Sequence, residues 1–448
     1  MSAADTKQLI SQIGSERATN DSGKIITHGG FTHVIWQDVT REGYFNRVRS
    51  LEHKTNQWST SFDFDQGIDN HARGVMTIDP QGFLHVVLGG HGSAVSWCRS
   101  LRPNDSSAWT ERQSIGVGTY PIFQCAPDGT LYLTLRGQGP TREDRGVDLY
   151  RRPADGEWGP PLRLVQLAAE YGQVYVGFHN QLSIAADGAL HAIIDFYEGE
   201  DECGRGLHQA VCYVSSPDGG DSWQKADGTA VNLPARPEDM DTLAQNVFSR
   251  HEQLPPPEIK HGGLVVDSVG TPFFFYLHHT EAPGKLLAGT VDSNGQIQQQ
   301  DISHHWEQLW PDMRAVGCWS TIRADDAIFA LVLLTPYSPA HEEWIDGRPT
   351  RVMNLRERDD QRLVWVSSED RGQSFSVREF LEPGAVCNCP SLERPVGANV
   401  IPADRTPGVL IFDGSNEYPG GGDYYASDSS VAEILAVGGF HANNVWLA

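Results

Sequence analysis

The chain has no apolar run near the roughly 18 residues that a membrane-spanning helix needs, so no helical membrane crossing is read in it. It is short of positive charge: 34 Lys and Arg stand against 58 Asp and Glu, a formal net charge of −24. That balance excludes a nucleic-acid partner, which asks for a basic face. Cysteine is scarce and odd in number, 7 in 448 residues, which excludes a disulfide scaffold and leaves some thiols free or metal-bound. Helix-period patterning is scarce as well. The opening residues, MSAADTKQLISQIGSERATN, hold no basic stretch followed by an apolar one, so no secretion signal is read in them. What is present is apolar and aromatic matter: 39% hydrophobic residues and 12 Trp, punctuated by 46 Gly and 26 Pro. Disorder is thereby excluded, and the length suits one large β architecture or two to three domains.

Short β-rich runs between turn signals dominate. GVMTIDPQGFLHVVLGG (74–90), PIFQCAPDGTLYLTLRG (121–137) and QLSIAADGALHAIIDFY (181–197) each read as strand, tight turn and strand. GGLVVDSVGTPFFFYLHH (262–279) and STIRADDAIFALVLLTP (320–336) repeat the pattern. The turns hold Asp and Gly because they need an Asx turn or positive φ. AVCYVSSPDGGDSW (210–223) and LVWVSSEDRGQSF (363–375) add the signature S-x-D-x-G-x-x-W/F. Its Asp is expected to accept backbone hydrogen bonds while the aromatic residue wedges between sheets. The signature resembles the BNR or Asp-box repeat found in sialidase-like propellers, a structural signal without chemistry of its own.

Aligned first strands start at His28, His71, Tyr120, His179, His261, Cys318 and Cys389, with gaps of 43, 49, 59, 82, 57 and 71 residues. Seven units of irregular length predict an all-β fold, a seven-bladed β-propeller of four-stranded antiparallel blades over residues 22–448, behind an N-terminal extension at 1–21. Six blades is the alternative. Ring closure falls to SGKIIT (22–27) or HANNVWLA (441–448), which removes exposed edges. Residues 225–258 read as a polar excursion with one short helix at 237–249.

In a propeller the start of each first strand and the end of each second strand share one face. That brings His71, Tyr120, His179, His261, Cys318 and Cys389 to a mouth, joined by His91, Arg136, Asp195, Tyr197, His278 and His279. Hairpin repeats ordinarily carry hydroxyls, Gly or apolar residues at these places. Singly, His71 and His91 read as hydrogen-bonding histidines. With Tyr120 and Arg136 they suit proton abstraction beside a carboxylate. A proton α to a uronate carboxylate is hard to remove because the carboxylate's charge resists the carbanion. An arginine paired with that carboxylate lowers the cost. His85 and His191 sit mid-strand and read as core or blade-interface residues.

DNHARGVMTIDPQGFLHVVLGGHGSAVSWCRSLRP and TYPIFQCAPDGTLYLTLRG resemble the BNR-4 type propeller proteins, and among them the seven-bladed ulvan lyases of polysaccharide lyase families 24 and 25. The resemblance runs over about residues 27–440 and is sharpest over 69–197. It implies catalysis by His71, His91, Tyr120 and Arg136, with Arg136 neutralising the uronate and His71 and Tyr120 sharing the base and acid roles in either order. A further tyrosine of the family site corresponds to Tyr175, with Tyr171 or Tyr197 as alternatives. Asn70, Arg73, His179, Asn180 and Tyr197 complete the expected substrate-binding set. Relatives acting on rhamnosyl-glucuronate linkages keep Asn after the histidine; here Ala72 stands there.

Across the mouth, His261, His278, Cys318, Cys387 and Cys389 gather thiolate and imidazole ligands that suit a structural Zn²⁺, with buried free thiols as the alternative. Cys98, Cys125, Cys203 and Cys212 read as ordinary thiols, the last two able to pair if the protein is secreted. Most tryptophans read as gap fillers between blades, Trp319 being the candidate for a groove wall. The expected activity is β-elimination on a sulfated, uronate-containing polysaccharide such as ulvan, without organic cofactor, by a monomer. Its expected location is secreted or periplasmic. The competing readings are a rhamnosyl-glucuronate-cleaving or sialidase-like glycosidase, for which an arginine triad is wanting, and a non-catalytic glycan-binding propeller. The acidity sits in outer turns such as EGEDE (198–202), leaving arginines to line a local basic groove in a salty habitat.

Overall fold

The computed structural model describes residues 8–15, 23–40, 43–67, 70–137, 145–166, 175–199, 206–245, 259–278, 285–336, 344–345, 348–349, 361–381, 390–413 and 444–448. Two compact units divide the chain: residues 1–135, 151–159 and 384–448 form the first, residues 136–150 and 160–383 the second. Among the described residues no helix is long and apolar enough to cross a membrane.

In the first unit, β1 (Gln8–Ser11) precedes an antiparallel sheet of β2 (Ile25–His28), β3 (Phe31–Thr40), β4 (Gly43–Glu52), β5 (Gln57–Trp58) and β6 (Phe62–Gly67). Next come β7 (Gly74–Ile78), β8 (Leu84–Leu88), β9 (Ser93–Arg99) and β10 (Gln113–Cys125), each the antiparallel neighbour of the one before. β10 pairs with β9 as far as Gly118, passes Tyr120, and goes on beside β11 (Leu131–Gly137).

The second unit holds the antiparallel pair β12 (Gly146–Arg152) and β13 (Leu162–Gln166). A larger sheet follows from β14 (Tyr175–Ile184), β15 (Leu190–Gly199), β16 (Gly206–Ser216), β17 (Trp223–Gln224) and β18 (Ala230–Val231), with β19 (Asp241–Gln245) on β16. Then come two four-stranded sheets. One is β20 (Lys260–Val266), β21 (Pro272–His278), β22 (Lys285–Val291) and β23 (Ile297–Asp301). After a one-turn helix α1 (His304–Glu307), β24 (Met313–Ile322) and β25 (Ile328–Pro336) continue, past the small pair β26 (Trp344–Ile345) and β27 (Arg348–Pro349), to β28 (Arg362–Ser368) and β29 (Ser376–Leu381). The chain ends back in the first unit, where β30 (Ser391–Leu392), β31 (Val409–Asp413) and β32 (Asn444–Leu447) form a sheet with β1 in the order β1-β32-β31-β30.

Two-residue alternation shares each strand between two neighbours. Ile25 and Val34 pack with Trp36, Leu410 and Phe412, while their chain neighbours Ile26 and Ile35 pack with Met76, Val86 and Cys98. In the second unit Phe273 and Phe275 join Val332 and Val366, and Phe274 between them joins Tyr213 and Leu264. Sheets buried on both faces explain why runs such as PFFFYL are continuously apolar. Each such phenylalanine contributes about 2–3 kcal/mol by leaving water.

The turn chemistry follows the residues. Asp79 Oδ1 accepts from the Gln81 and Phe83 amides at 2.9 Å each, and Asp267 Oδ1 does the same for Val269 (3.0 Å) and Thr271 (2.8 Å). In the two full repeats, Asp218 Oδ1 and Asp370 Oδ1 accept the Ser222 and Ser374 amides at 2.8 Å, and Trp223 and Phe375 are buried beside them. These hydrogen bonds hold the Asp370 carboxyl down at about 2.

One alternative is resolved and two expectations change. Of the two segments offered for closure, Ile25–His28 is the first strand of the first sheet, and the terminal HANNVWLA segment supplies β32. Its partner is β1, so part of the stretch expected as a free extension belongs to a sheet, Leu9 facing Trp446 in register. The helix expected at 237–249 is a single 3-10 turn, Pro237–Asp239, followed by β19, whose pairing with β16 satisfies the backbone better than an isolated helix would. Residues 246–258 lie outside the described residues.

Candidate active site

The hairpin β7–β8 carries the first candidates. Its register sets Gly74 opposite Leu88, so the residues just before β7 meet those just after β8. The Gly89 amide donates to Arg73 O at 3.0 Å, extending the pairing one step toward His71 and His91. Gly89 leaves that step open, since a Cβ there would stand 2.6 Å from Arg73 O. The two imidazoles stack, ring centroids 4.1 Å apart and planes 23° from parallel. Tyr120 stands beside them, its ring 6.2 Å from that of His71. The tyrosine comes from β10, where Gly118 pairs with Ser93 and the Thr119 hydroxyl accepts the Gly92 amide at 2.8 Å. Its φ of +57° is a left-handed conformation that costs a side-chain-bearing residue about 1–3 kcal/mol. That conformation falls where β10 leaves β9, and strain of this kind gathers at functional positions.

His71 is 3% exposed, whereas His91 and Tyr120 are half-buried. His91 and Tyr120 are thus the more exposed members of the trio. Arg73, expected to touch substrate, is 1% exposed; its guanidinium lies over the Tyr120 ring, 5.8 Å from the centroid. Asn70 is also enclosed, its carbonyl accepting from Arg73 Nη1 at 3.4 Å. Arg136 is buried near the end of β11, at 2% exposure.

A second cluster belongs to the second unit. His179 on β14 pairs in register with Asp195 on β15, and β20 brings His261 to the same carboxylate. Asp195 Oδ1 accepts from His179 Nδ1 at 3.2 Å, and Oδ2 from His261 Nδ1 at 2.7 Å. The backbone amides of His179 and His261 add contacts of 3.0 and 3.4 Å. The rings are stacked at 6.3 Å. Asp195 is fully buried; burial works to raise its carboxyl, and the two imidazoles override it, holding it well below the usual range. With Nδ1 given to Asp195, each imidazole turns Nε2 away from the carboxylate, the arrangement that orients a histidine for proton transfer or ligation. Asn180 is buried next to His179, and the side chains of Tyr175 and Tyr197 lie outside the described residues.

No group of three or more His, Cys, Asp or Glu is arranged to hold a metal among the described residues. His261 is engaged by Asp195, Cys318 is buried with its thiol pushed up by burial, and burial lowers the half-buried His278. Cys387 and Cys389, which the zinc expectation needs, lie outside the described residues. His85 and His191 are structural as expected, bonded to Asp79 (3.1 Å) and to the Tyr213 hydroxyl (2.7 Å).

The supports of the His71 segment were not anticipated. Asn46 and Gln37, on β4 and β3, hydrogen bond to the backbone of residues 72 and 74. In the sequence they stand among other polar residues of FTHVIWQDVT and GYFNRVRSLE, with no local mark that sets them apart.

Comparison with known proteins places these features in a family. The BNR repeat-containing family (BNR_4) matches residues 31–308. An ulvan lyase of Nonlabens ulvanivorans is 29% identical over 146 residues, covering 27% of this chain and 30% of that protein. The Ulvan Lyase-PL25 of Pseudoalteromonas sp. (strain PLSV) is 30% identical over 145 residues, 27% of this chain and 29% of that protein. The alignments thus span under a third of the length of either relative. A solved PL25 ulvan lyase bound to -[GlcA(1-4)Rha3S]- superposes with a TM-score of 0.63 at 18% identity, covering 91% of this chain and 93% of that one. The polysaccharide lyase Uly1 gives 0.59 at 12% identity, covering 95% and 89%. These likenesses agree with the all-β, propeller-type fold expected from the hairpin repeats. With the family match spanning most of the strands that carry His71, His91, Tyr120, Asp195 and His261, the chain belongs to the BNR repeat-containing family.

Proposed function

We propose that this protein is a polysaccharide lyase that cleaves a sulfated, uronate-containing polymer, ulvan being the first candidate, by β-elimination. The observation that carries the reading is the His71–His91 stack with Tyr120 beside it, on a backbone strained at the tyrosine. Its support is the partial likeness of the chain to ulvan lyases.

The chemistry needs three acts. A base removes the proton on the carbon α to the uronate carboxylate, the C–H electron pair becomes a C=C bond, and the C–O bond of the glycosidic link breaks as its oxygen takes up a proton. His71 and Tyr120 supply the base and the acid between them, in either order. Arg136 pairs with the carboxylate and offsets the charge that builds on it. His91, stacked on His71, orients that ring and shares its contact with the sugar. His179, the more exposed of the expected binding residues, remains a candidate for the binding surface, along with Tyr175 and Tyr197, whereas Asn70 and Asn180 are enclosed. A structural zinc ion bound by Cys387 and Cys389, with Cys318, His261 and His278 as further ligands, belongs to the same proposal and rests on the sequence. So do a monomeric state and secretion or a periplasmic location.

The test is incubation with ulvan while following ultraviolet absorbance of the new C=C bond together with reducing ends. Both should rise together. Reducing ends without absorbance would mean hydrolysis, and silence in both would mean a binding protein or another polymer. His71→Ala and Tyr120→Phe should each abolish turnover while leaving the thermal midpoint near that of the parent; near-parental rates in either would refute the assignment.

A further inference from the structure

Lys24, Gln37 and Asn46 are polar side chains buried in the first unit, at 0%, 0% and 3% exposure. Each is expensive to bury unless its hydrogen bonds are met. Gln37 and Asn46 face each other across the β3–β4 register. Both reach the segment that follows His71. Asn46 Nδ2 donates to Ala72 O at 2.8 Å while its Oδ1 accepts the Gly74 amide at 2.7 Å. Gln37 Nε2 donates to the same Ala72 O at 3.2 Å, and Lys24 Nζ donates to Gly74 O at 2.5 Å. Within the segment the Arg73 amide donates to His71 O at 2.8 Å, a tight turn.

We propose that Asn46, seconded by Gln37, is a positioning residue for His71: the side-chain amides splint the 71–74 turn and thereby hold the His71 imidazole in its stack against His91. The inference rests on the reading of His71 as a proton-transfer residue. Asn46 acts as a one-residue extra strand, presenting one donor and one acceptor to residues two apart, as a strand partner does. Only an amide of this length does both. An aspartate would set a carboxylate oxygen against Ala72 O, and an aliphatic residue would leave the Ala72 carbonyl and the Gly74 amide short of partners in a buried place. The neighbouring sheet thus bears on the orientation of the His71 ring through the backbone of residues 72 and 74.

The alternative is that these amides merely complete the hydrogen bonding of a buried region. A control of the same kind separates the two. Ser50, also on β4, is bonded to His33 Nδ1 and to the Ser106 hydroxyl, each at 2.6 Å, away from the 71–74 turn. Asn46→Asp should lower kcat on ulvan by about ten- to a hundredfold, the scale of a small misplacement of a reacting group, with KM changed less than about twofold. Ser50→Ala should lower the thermal midpoint and leave kcat within about twofold. Undiminished kcat in Asn46→Asp, or an equal fall in Ser50→Ala, overturns the proposal. If Asn46→Asp does not fold, Gln37→Met removes one donor to Ala72 O and should lower kcat with KM preserved; parental kcat there also overturns it. Should the parent protein prove inactive on ulvan, the functional reading fails and the splint is judged by NMR. Doubled His71 ring signals and faster exchange of the Gly74 amide in Asn46→Asp, but not in Ser50→Ala, support it; unchanged signals refute it.

Discussion

Replacing Asp195 with asparagine keeps the shape of the side chain and removes its charge. The carboxylate is fully buried and joins β15 to β14 through His179 and to β20 through His261, so it ties two neighbouring sheets of the second unit together. Asparagine keeps one acceptor oxygen and turns an NH2 toward the other ring, which donates too. Hydrogen bonds to a charged group contribute about 1.5–3 kcal/mol each. With one bond lost and the other reduced to a neutral one, Asp195→Asn should cost about 2–4 kcal/mol, a large part of the roughly 5–15 kcal/mol of a whole domain. The pH dependence has a fixed sign. The folded-state pKa of Asp195 is depressed below the unfolded value of about 3.9, so its contribution is complete above that pH and is lost as pH falls toward the folded value. Urea unfolding of both proteins at pH 7 and again below about pH 4 measures the difference, which should be full in the first case and smaller in the second. A loss under about 0.5 kcal/mol at pH 7, or a difference unchanged in acid, would show that the carboxylate does not carry the tie between the sheets.

Trp223→Ala should destabilise by about 3–5 kcal/mol through the cavity it leaves between strands, with activity per folded molecule retained; lost activity at full stability would give this tryptophan a role in the site. Burial pushes the Cys125 and Cys212 thiols up to about 12, so native protein at pH 8 should resist alkylation at both, as read by peptide mass spectrometry, until it is unfolded. Elemental analysis should find zinc in the parent and less in Cys389→Ser; a metal-free protein whose Cys387 and Cys389 alkylate readily would refute the zinc site. Because the body carries a net charge of −24, raising salt from dilute buffer toward marine strength should lower KM for an anionic polymer, and the opposite trend would contradict the screening argument.

The hairpins were legible because a two-residue period, an Asp-Gly turn and a second apolar run are local signals. All five hairpins singled out in the sequence form, and the Asp-box aspartates bond as their chemistry required. The pairing of His71 with His91 was legible for the same reason, since register within one hairpin places its two ends side by side. The closing partner of β32 was not, because a four-residue strand near the start of the chain has no local mark of a partner more than 400 residues away. Nor was the enclosure of Arg73: an arginine in sequence reads as exposed, and only packing shows it lying over Tyr120.

The amino-acid sequence by itself determined the β character, the turns and the residues gathered at hairpin ends, because those properties are decided within about twenty residues of chain. Tertiary structure alone decided which polar side chains are buried and to what they bond. Asn46 and Gln37 reach Ala72 from another sheet, and His261 reaches Asp195 from 66 residues away. A buried amide or carboxylate takes its meaning from the partner that satisfies it, and that partner is set by the packing of sheets rather than by neighbours in the chain.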